Sequence, residues 1–330
     1  MLPEQWRERL RVPVIAAPMT DVSGPELVAA ACAAGVIGAF PAHNAADSNE
    51  LARWLRRIAG RVDELSRPGR PAAPVGVNLV VHRSNARLAG DLRAVIHGGA
   101  EVVVTSVGSP HEITGPLHEA GLTVLADVAS LRHIRRAQEA GVDGVVLLTA
   151  GAGGQTGWAN PLAFMRAVRE RYDGIVVLAG GVSDGAGILA AQVLGADLVY
   201  LGTRFIATEE SLASPEYRAA VLAATMDDIS TTTQLTGLAA NVLTAWLDAA
   251  GAEPNGEQAQ VTGTGSTPGG FAMDRLLARR DVWAAGHSAA GTRDVLSVAS
   301  LVGRLESELR HAHDQVTATD TPPLLAAEQR

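Results

Sequence analysis

The chemistry this chain can offer is concentrated in segments of very small residues. TAGAGGQTG (149–157) carries four glycines in nine positions, so its backbone can approach a ligand where no Cβ intervenes. AGGVSDG (179–185) and LGTRF (201–205) are two further turns of this kind. Gly180, Gly181, Gly202 and Thr203 would bring backbone N–H groups and a hydroxyl together, the donor set a phosphate needs. Either turn alone also suits a tight strand-to-helix connection; the pair, closing two consecutive units, points to an anion. In the first segment, Gln155 can donate and accept hydrogen bonds but cannot act as a base near neutral pH.

Ionisable candidates are few. His43 (PAHNAAD) follows the second apolar run and suits either a ligand pocket or a helix entry. Asp127 (TVLADV) ends the fifth run and suits a polar contact there or a helix cap. His82 follows the third run, His133 sits in a helical RHIRR, and His97, His111, His118, His311 and His313 read as solvated. There is no H-E-x-x-H or similar cluster, so no catalytic metal is expected, and no G-x-S-x-G elbow. The chain has no lysine, which rules out Schiff-base chemistry, pyridoxal phosphate and a Walker lysine. The one cysteine, Cys32 in AACAAG, reads as a buried thiol; it excludes a disulfide within the chain and fits a reducing cytoplasm.

Positioning these segments requires a regular scaffold. Eight short apolar runs recur along the chain: 12–18, 35–40, 75–80, 101–106, 123–128, 143–149, 174–180 and 197–202. Each is followed by an Ala-rich helical pattern, and strands buried on both faces with helices between them predict a closed (β/α)8 TIM barrel. Ser183 is the expected N-cap, and Gly195 the end, of the helix after the seventh run; the helix from Ser130 should stop at Gly141. The three glycine turns then fall at the C-terminal ends of strands, where barrels carry their sites. The barrel is expected over 1–207 and 283–312, with a small helical insertion (208–282) over its mouth and a disordered tail (313–330). A net charge of -8 without a basic run argues against nucleic acid. No run approaches the ~20 apolar residues of a membrane span, and the N-terminus reads as a strand rather than a signal peptide.

APMTDVSG (17–24), GVNL (76–79), AGAGGQTG (150–157), AGGVSDG (179–185) and GTRF (202–205) resemble the nitronate monooxygenase family, formerly called 2-nitropropane dioxygenases. TGLAAN (236–241) and DVWAAGHSAAG (281–291) resemble its C-terminal half, so the likeness runs from about residue 12 to residue 310. The resemblance implies an FMN barrel. Ala17, Pro18 and Met19 would lie along the flavin, although Met19 also suits plain core. Asn78 would hydrogen-bond the ring or ribityl chain, or cap a turn. Ala152, Gly153 and Gly154 would border the ring, Asp127 would add a polar contact, and Gly180, Gly181, Gly202 and Thr203 would hold the phosphate.

The family's segment reads A-G-G-H-x-G, its histidine being catalytic, and here that position is Gln155. Relatives often carry Gln where this chain has His287, so an exchange is one hypothesis, with His287 restoring an ionisable group to the pocket; a loop-capping histidine is the other. The implied activity is oxidation of an alkyl nitronate with O2 to a carbonyl compound and nitrite. One alternative is an NAD(P)H-dependent reductase of enoyl or quinone substrates. Two others are a flavin-free lyase or isomerase binding a phosphorylated metabolite, and a catalytically silent flavin-binding protein. Small-molecule substrates, a cytoplasmic location and, by default, a homodimer complete the expectation.

Overall fold

The eight runs rich in Val, Ile and Leu become eight parallel strands of a closed barrel in the computed structural model. It describes residues 2–66, 69–251, 270–278 and 281–318. The barrel strands are β1 (Val14–Ala16), β2 (Ile37–Pro41), β3 (Val75–Val80), β4 (Val102–Ser106), β5 (Thr123–Val128), β6 (Gly144–Leu148), β8 (Ile175–Ala179) and β9 (Leu198–Leu201). β9 pairs back onto β1, Val14 opposite Val199, so no edge is left open. β7 is a two-residue strand (Gly154–Gln155) outside the barrel.

Alternation along the strands decides what reaches the inside. Leu125, Val146, Ile175, Val177 and Leu198 point inward and fill the interior. Its lower end is plugged by Trp6, which is 1% exposed and comes from the N-terminal turn Glu4–Arg7. Arg9 holds that segment in place through Glu101 and the Ala72 carbonyl. Two residues further along seven of the strands the next inward layer is reached: Ala17, Asn78, Ser106, Asp127, Leu148, Ala179 and Tyr200, with Gly202 just beyond the end of β9. The apolar interior thus gives way to polar and very small residues at the C-terminal rim.

Helices Pro25–Ala34, Ser48–Leu65, Leu88–His97, His111–Glu119, Leu131–Glu139, Pro161–Arg169 and Gly185–Leu194 follow the first seven barrel strands. The eighth place is taken by Val298–Ala318, which packs between Gly185–Leu194 and Pro25–Ala34 although it lies about a hundred residues beyond β9. Ser130 caps its helix as expected, and Gly195 ends its helix in the left-handed conformation at φ 109°. The cap of Gly185–Leu194 is Asp184 rather than Ser183, its carboxylate accepting from the Gly187 N–H. The last helix also outruns its expected end at residue 312 and continues to Ala318, so the tail expected from residue 313 is helical over its first six positions; its remainder, 319–330, lies outside the described residues.

The insertion differs from an all-helical expectation. It contains helix Pro215–Ala223, then an antiparallel hairpin of β10 (Ile229–Thr232) and β11 (Ala240–Leu243), then helices Thr244–Ala249 and Met273–Ala278. The Thr-rich run ISTTTQLTG misled because the helical residues on either side masked a short β-branched stretch that packs best as strand. Tyr217, Val221, Leu235, Val242 and Leu247 give it a small core of its own. Residues 263–269, in the glycine-rich GTGSTPGG, lie outside the described residues. Among the described residues no helix is long and apolar enough to cross a membrane.

Candidate active site

One cavity occupies the C-terminal mouth of the barrel, with the insertion as its roof. Ala17, Pro18, Met19, Asn78, Asp127, Ala152, Gly153, Gly154, Gln155, Gly180, Gly181, Gly202 and Thr203 all line it. His287 does not. Its main-chain N–H donates to the Gly151 carbonyl at 3.0 Å, and its ring lies behind the turn, with Nδ1 2.7 Å from where a Cβ on Gly151 would stand. The exchange of an imidazole from position 155 to 287 is therefore not realised in the geometry; Ser288, the next residue, reaches the cavity instead.

The turn that carries Gln155 is clamped by distant parts of the chain. Gly154 and Gln155 form β7, which pairs antiparallel with Asn241 and Ala240 of β11. Asn241 donates from its amide to the Ala152 carbonyl at 2.8 Å and to Thr156 Oγ1 at 3.2 Å. A Cβ on Gly153 would stand 2.7 Å from the Gly286 nitrogen, so glycine is required for the segment 284–287 to close on the turn. Gly286 in turn donates to Thr203 Oγ1 at 3.0 Å, linking this turn to the one after β9. Thr203 remains able to donate its own hydroxyl proton.

The turn after β8 is shaped by two left-handed glycines. Gly180 (φ 118°) touches the neighbouring turn, its missing Cβ falling 2.6 Å from Thr149 Oγ1. Gly181 (φ 78°) has nothing within 4 Å of its Cβ position, so a methyl there would project into open space. The two make different predictions. Gly180→Ala should lose about 1–3 kcal/mol of stability from strain and overlap. Gly181→Ala should lose about 1–2 kcal/mol from backbone conformation, with its main effect on ligand affinity. Denaturant midpoints and bound-flavin content of the two variants check this contrast. The N-terminus of helix Gly185–Leu194 is not available as an extra anion grip, because Asp184 and Glu308 already accept from its amides.

The polar side chains of the cavity have distinct conditions. Asn78 spends its amide hydrogens on the Val104 carbonyl (3.0 Å) and Ser106 Oγ (3.1 Å), leaving mainly Oδ1 to accept from a ligand. His43 is buried and its Nε2 lies 3.0 Å from Thr20 Oγ1. Asp127 Oδ1 and the Tyr200 hydroxyl are both inaccessible and have no hydrogen-bond partner. Burial pushes the Asp127 carboxyl up to about 7. Burial raises the Tyr200 phenol well above its ordinary value, and the charge of Asp127 adds to the rise. Because the unfolded carboxyl ionises earlier, the folded protein loses stability as pH rises through this interval. Asp127→Asn should therefore raise the melting temperature relative to the parent at about pH 8 and leave it nearly unchanged at about pH 4.

Sequence reasoning missed Tyr200, Ser106, Ser288 and the roof residue Tyr217, and it left His43 open. Tyr200 sits in the apolar strand LVYL and reads as core; its signal was an inward register in the layer that also holds Asp127. Tyr217 stacks on Trp283 at 5.5 Å and donates to the Ala284 carbonyl, which no local pattern reveals.

A flat ring carrying a phosphate fits this architecture. The inward positions of β1, β8 and β9 at the rim are Ala17, Ala179 and Gly202, which leave a slot. Gly181 opens onto free space, and two orphaned polar groups await partners. The family model for nitronate monooxygenase matches residues 71–308. A nitronate monooxygenase of Paraburkholderia phytofirmans is 28% identical over 92% of this chain and 94% of its own. A (3aS,4S,5R,7aS)-5-hydroxy-7a-methyl-1-oxo-octahydro-1H-indene-4-carboxyl-CoA dehydrogenase of Mycobacterium tuberculosis is 29% identical over 70% of this chain and 62% of its own. In fold, the chain is similar to FabK from Thermotoga maritima, with a TM-score of 0.76 at 24% identity, covering 96% of this chain and 99% of that one. The slot, the glycine turns that border it and a family match through most of the barrel agree: the chain belongs to the nitronate monooxygenase family and is a flavin-dependent oxidoreductase.

Proposed function

We propose that the flavin is FMN and that the enzyme oxidises alkyl nitronates with O2, giving a carbonyl compound and nitrite. The observation that carries this reading is the convergence of the two terminal turns, Gly180–Gly181 and Gly202–Thr203, with the Ala152–Gln155 turn around one cavity. The first pair offers backbone N–H groups and a hydroxyl to a single phosphate. Ala152, Gly153 and Gly154 border the space beside it without side chains to fill it. Bound flavin supplies the electron chemistry; the protein supplies orientation, charge stabilisation and a dry site.

Gln155 lines the cavity and makes no side-chain hydrogen bond among the described residues, so its amide can donate to a nitro oxygen. A nitronate arrives already deprotonated and needs no base at this position, whereas a neutral nitroalkane does. Tyr217, Leu235, Val242 and Val282 form an apolar roof that excludes water from the reacting atoms.

A second reading keeps the flavin and replaces the nitronate by NAD(P)H as reductant, with an enoyl or quinone substrate. It is favoured by the loss of an imidazole at 155 and by the 29% identity to a dehydrogenase acting on a coenzyme A thioester. The visible spectrum of the purified protein, followed by anaerobic addition of propionate-3-nitronate or NADPH, separates the two. Bleaching of the flavin band by the nitronate alone is expected. Bleaching by NADPH alone overturns the first reading in favour of the second, and a colourless protein defeats both.

A further inference from the structure

Among the described residues, nothing beside the acid in the cavity neutralises it. Asp127 projects from the last inward position of β5, lines the cavity, and has a buried oxygen without a hydrogen-bond partner. The Tyr200 hydroxyl, from the equivalent layer of β9, is buried, unpartnered and faces the same space. Among the described residues no arginine lines the cavity. The other titratable groups that face it are His43, bonded to Thr20, and Tyr217, whose hydroxyl donates to the Ala284 carbonyl. Among the described residues, the strands flanking β5 contribute Ser106 of β4 and Leu148 of β6. On the outer side, helix Leu131–Glu139 contributes His133, whose Nδ1 accepts from the Ala129 N–H; burial, then Arg132 and Arg136, hold it below its ordinary value. Arg132 and Arg136 are exposed on that helix and do not line the cavity.

An unpaired carboxylate in such a place opposes any second negative charge brought into the cavity. Both the electron-rich state of a flavin ring and an anionic substrate bring one. We propose that Asp127, with the Tyr200 hydroxyl facing the same space, is the group that takes up a proton when negative charge enters the floor of the cavity and returns it when that charge leaves. This rests on the flavin reading of the cavity. It gives the site the ionisable group that Gln155 cannot provide, at a position on the floor of the cavity instead of on the clamped turn. The balance is simple. Bound flavin would accept two electrons, from an electrode in the test or from the reducing substrate in turnover, together with its own ring proton from solvent. One further proton would pass from a solvent or buffer acid to the Asp127 carboxylate, forming its O–H bond, and reoxidation would release both. Tyr200 remains a neutral phenol throughout, burial and the nearby Asp127 charge holding its proton in place.

The test uses the flavin-loaded protein and its flavin midpoint potential measured against pH. Above the pH at which the oxidised, flavin-loaded protein ionises Asp127, the parent should take up one more proton per electron pair than Asp127→Asn. Below that pH the two slopes should coincide. Equal slopes at every pH overturn the proposal. If the variant does not retain flavin, redox-difference infrared spectroscopy of the parent decides instead. At about pH 8 a protonated-carboxyl band should appear on reduction and shift in D2O; its absence sinks the idea. A yellow protein that fails either measurement refutes the role of Asp127 alone, whereas a protein that binds no flavin refutes the reading on which it rests.

Discussion

Gln155→His is expected to give the enzyme turnover of neutral nitroalkanes, raising kcat/KM for nitroethane by about 10²- to 10⁴-fold, the usual contribution of a positioned general base. The backbone at this position is fixed by pairing with Ala240, so the new side chain inherits the direction of the old one into the cavity. Among the described residues no arginine lines the cavity to depress an imidazole, and its ordinary range near 6.5 suits proton abstraction at neutral pH. Activity on a preformed nitronate should change far less, because no proton is removed in that case. Steady-state assays with nitroethane and with its nitronate, run in parallel, check the split. An equal change for both substrates would mean that residue 155 acts by orientation alone.

Trp6→Ala should cost about 3–5 kcal/mol of stability, the range for emptying a large aromatic site from a packed interior. Trp6 is 1% exposed and closes the lower end of the barrel against inward residues such as Ile15, Ile37 and Leu198. Little can collapse into the space it leaves, because the surrounding positions are held by strand pairing on every side. Trp6→Phe should lose less. Denaturant unfolding followed by far-UV circular dichroism measures the loss. The flavin site lies at the opposite end of the strands, so the folded variant should retain its flavin until global unfolding.

The barrel was legible because eight buried strands write their burial directly into the sequence as apolar runs. Their boundaries came within two residues of those observed. The glycine turns were legible for a related reason: small residues at a strand end mark a place where something else must fit. What could not be read was set by contacts between distant segments. The side to which His287 turns depends on its main-chain bond to Gly151, and the environment of Tyr200 depends on the closure of β9 against β1 and β8. β10 and β11 depend on each other and on β7 for their existence; local propensity around them favours helix. The cap at Asp184 rather than Ser183 was a choice between adjacent residues with similar chemistry, decided by which oxygen meets the Gly187 amide.

β7 makes residue 155 a common property of two folding units. Its strand belongs to the barrel by sequence and to the insertion by hydrogen bonding, and Asn241 and the 284–287 segment fasten the same joint. The pieces 149–157, 229–243 and 281–291 therefore behave as one interchangeable part, despite lying far apart in the chain. A chimera that swaps the insertion alone between relatives would graft a new roof onto an old hinge and misplace the amide. A chimera that moves all three stretches together carries its own alignment with it, which makes this trio the natural unit for transplanting substrate preference between barrels of this kind.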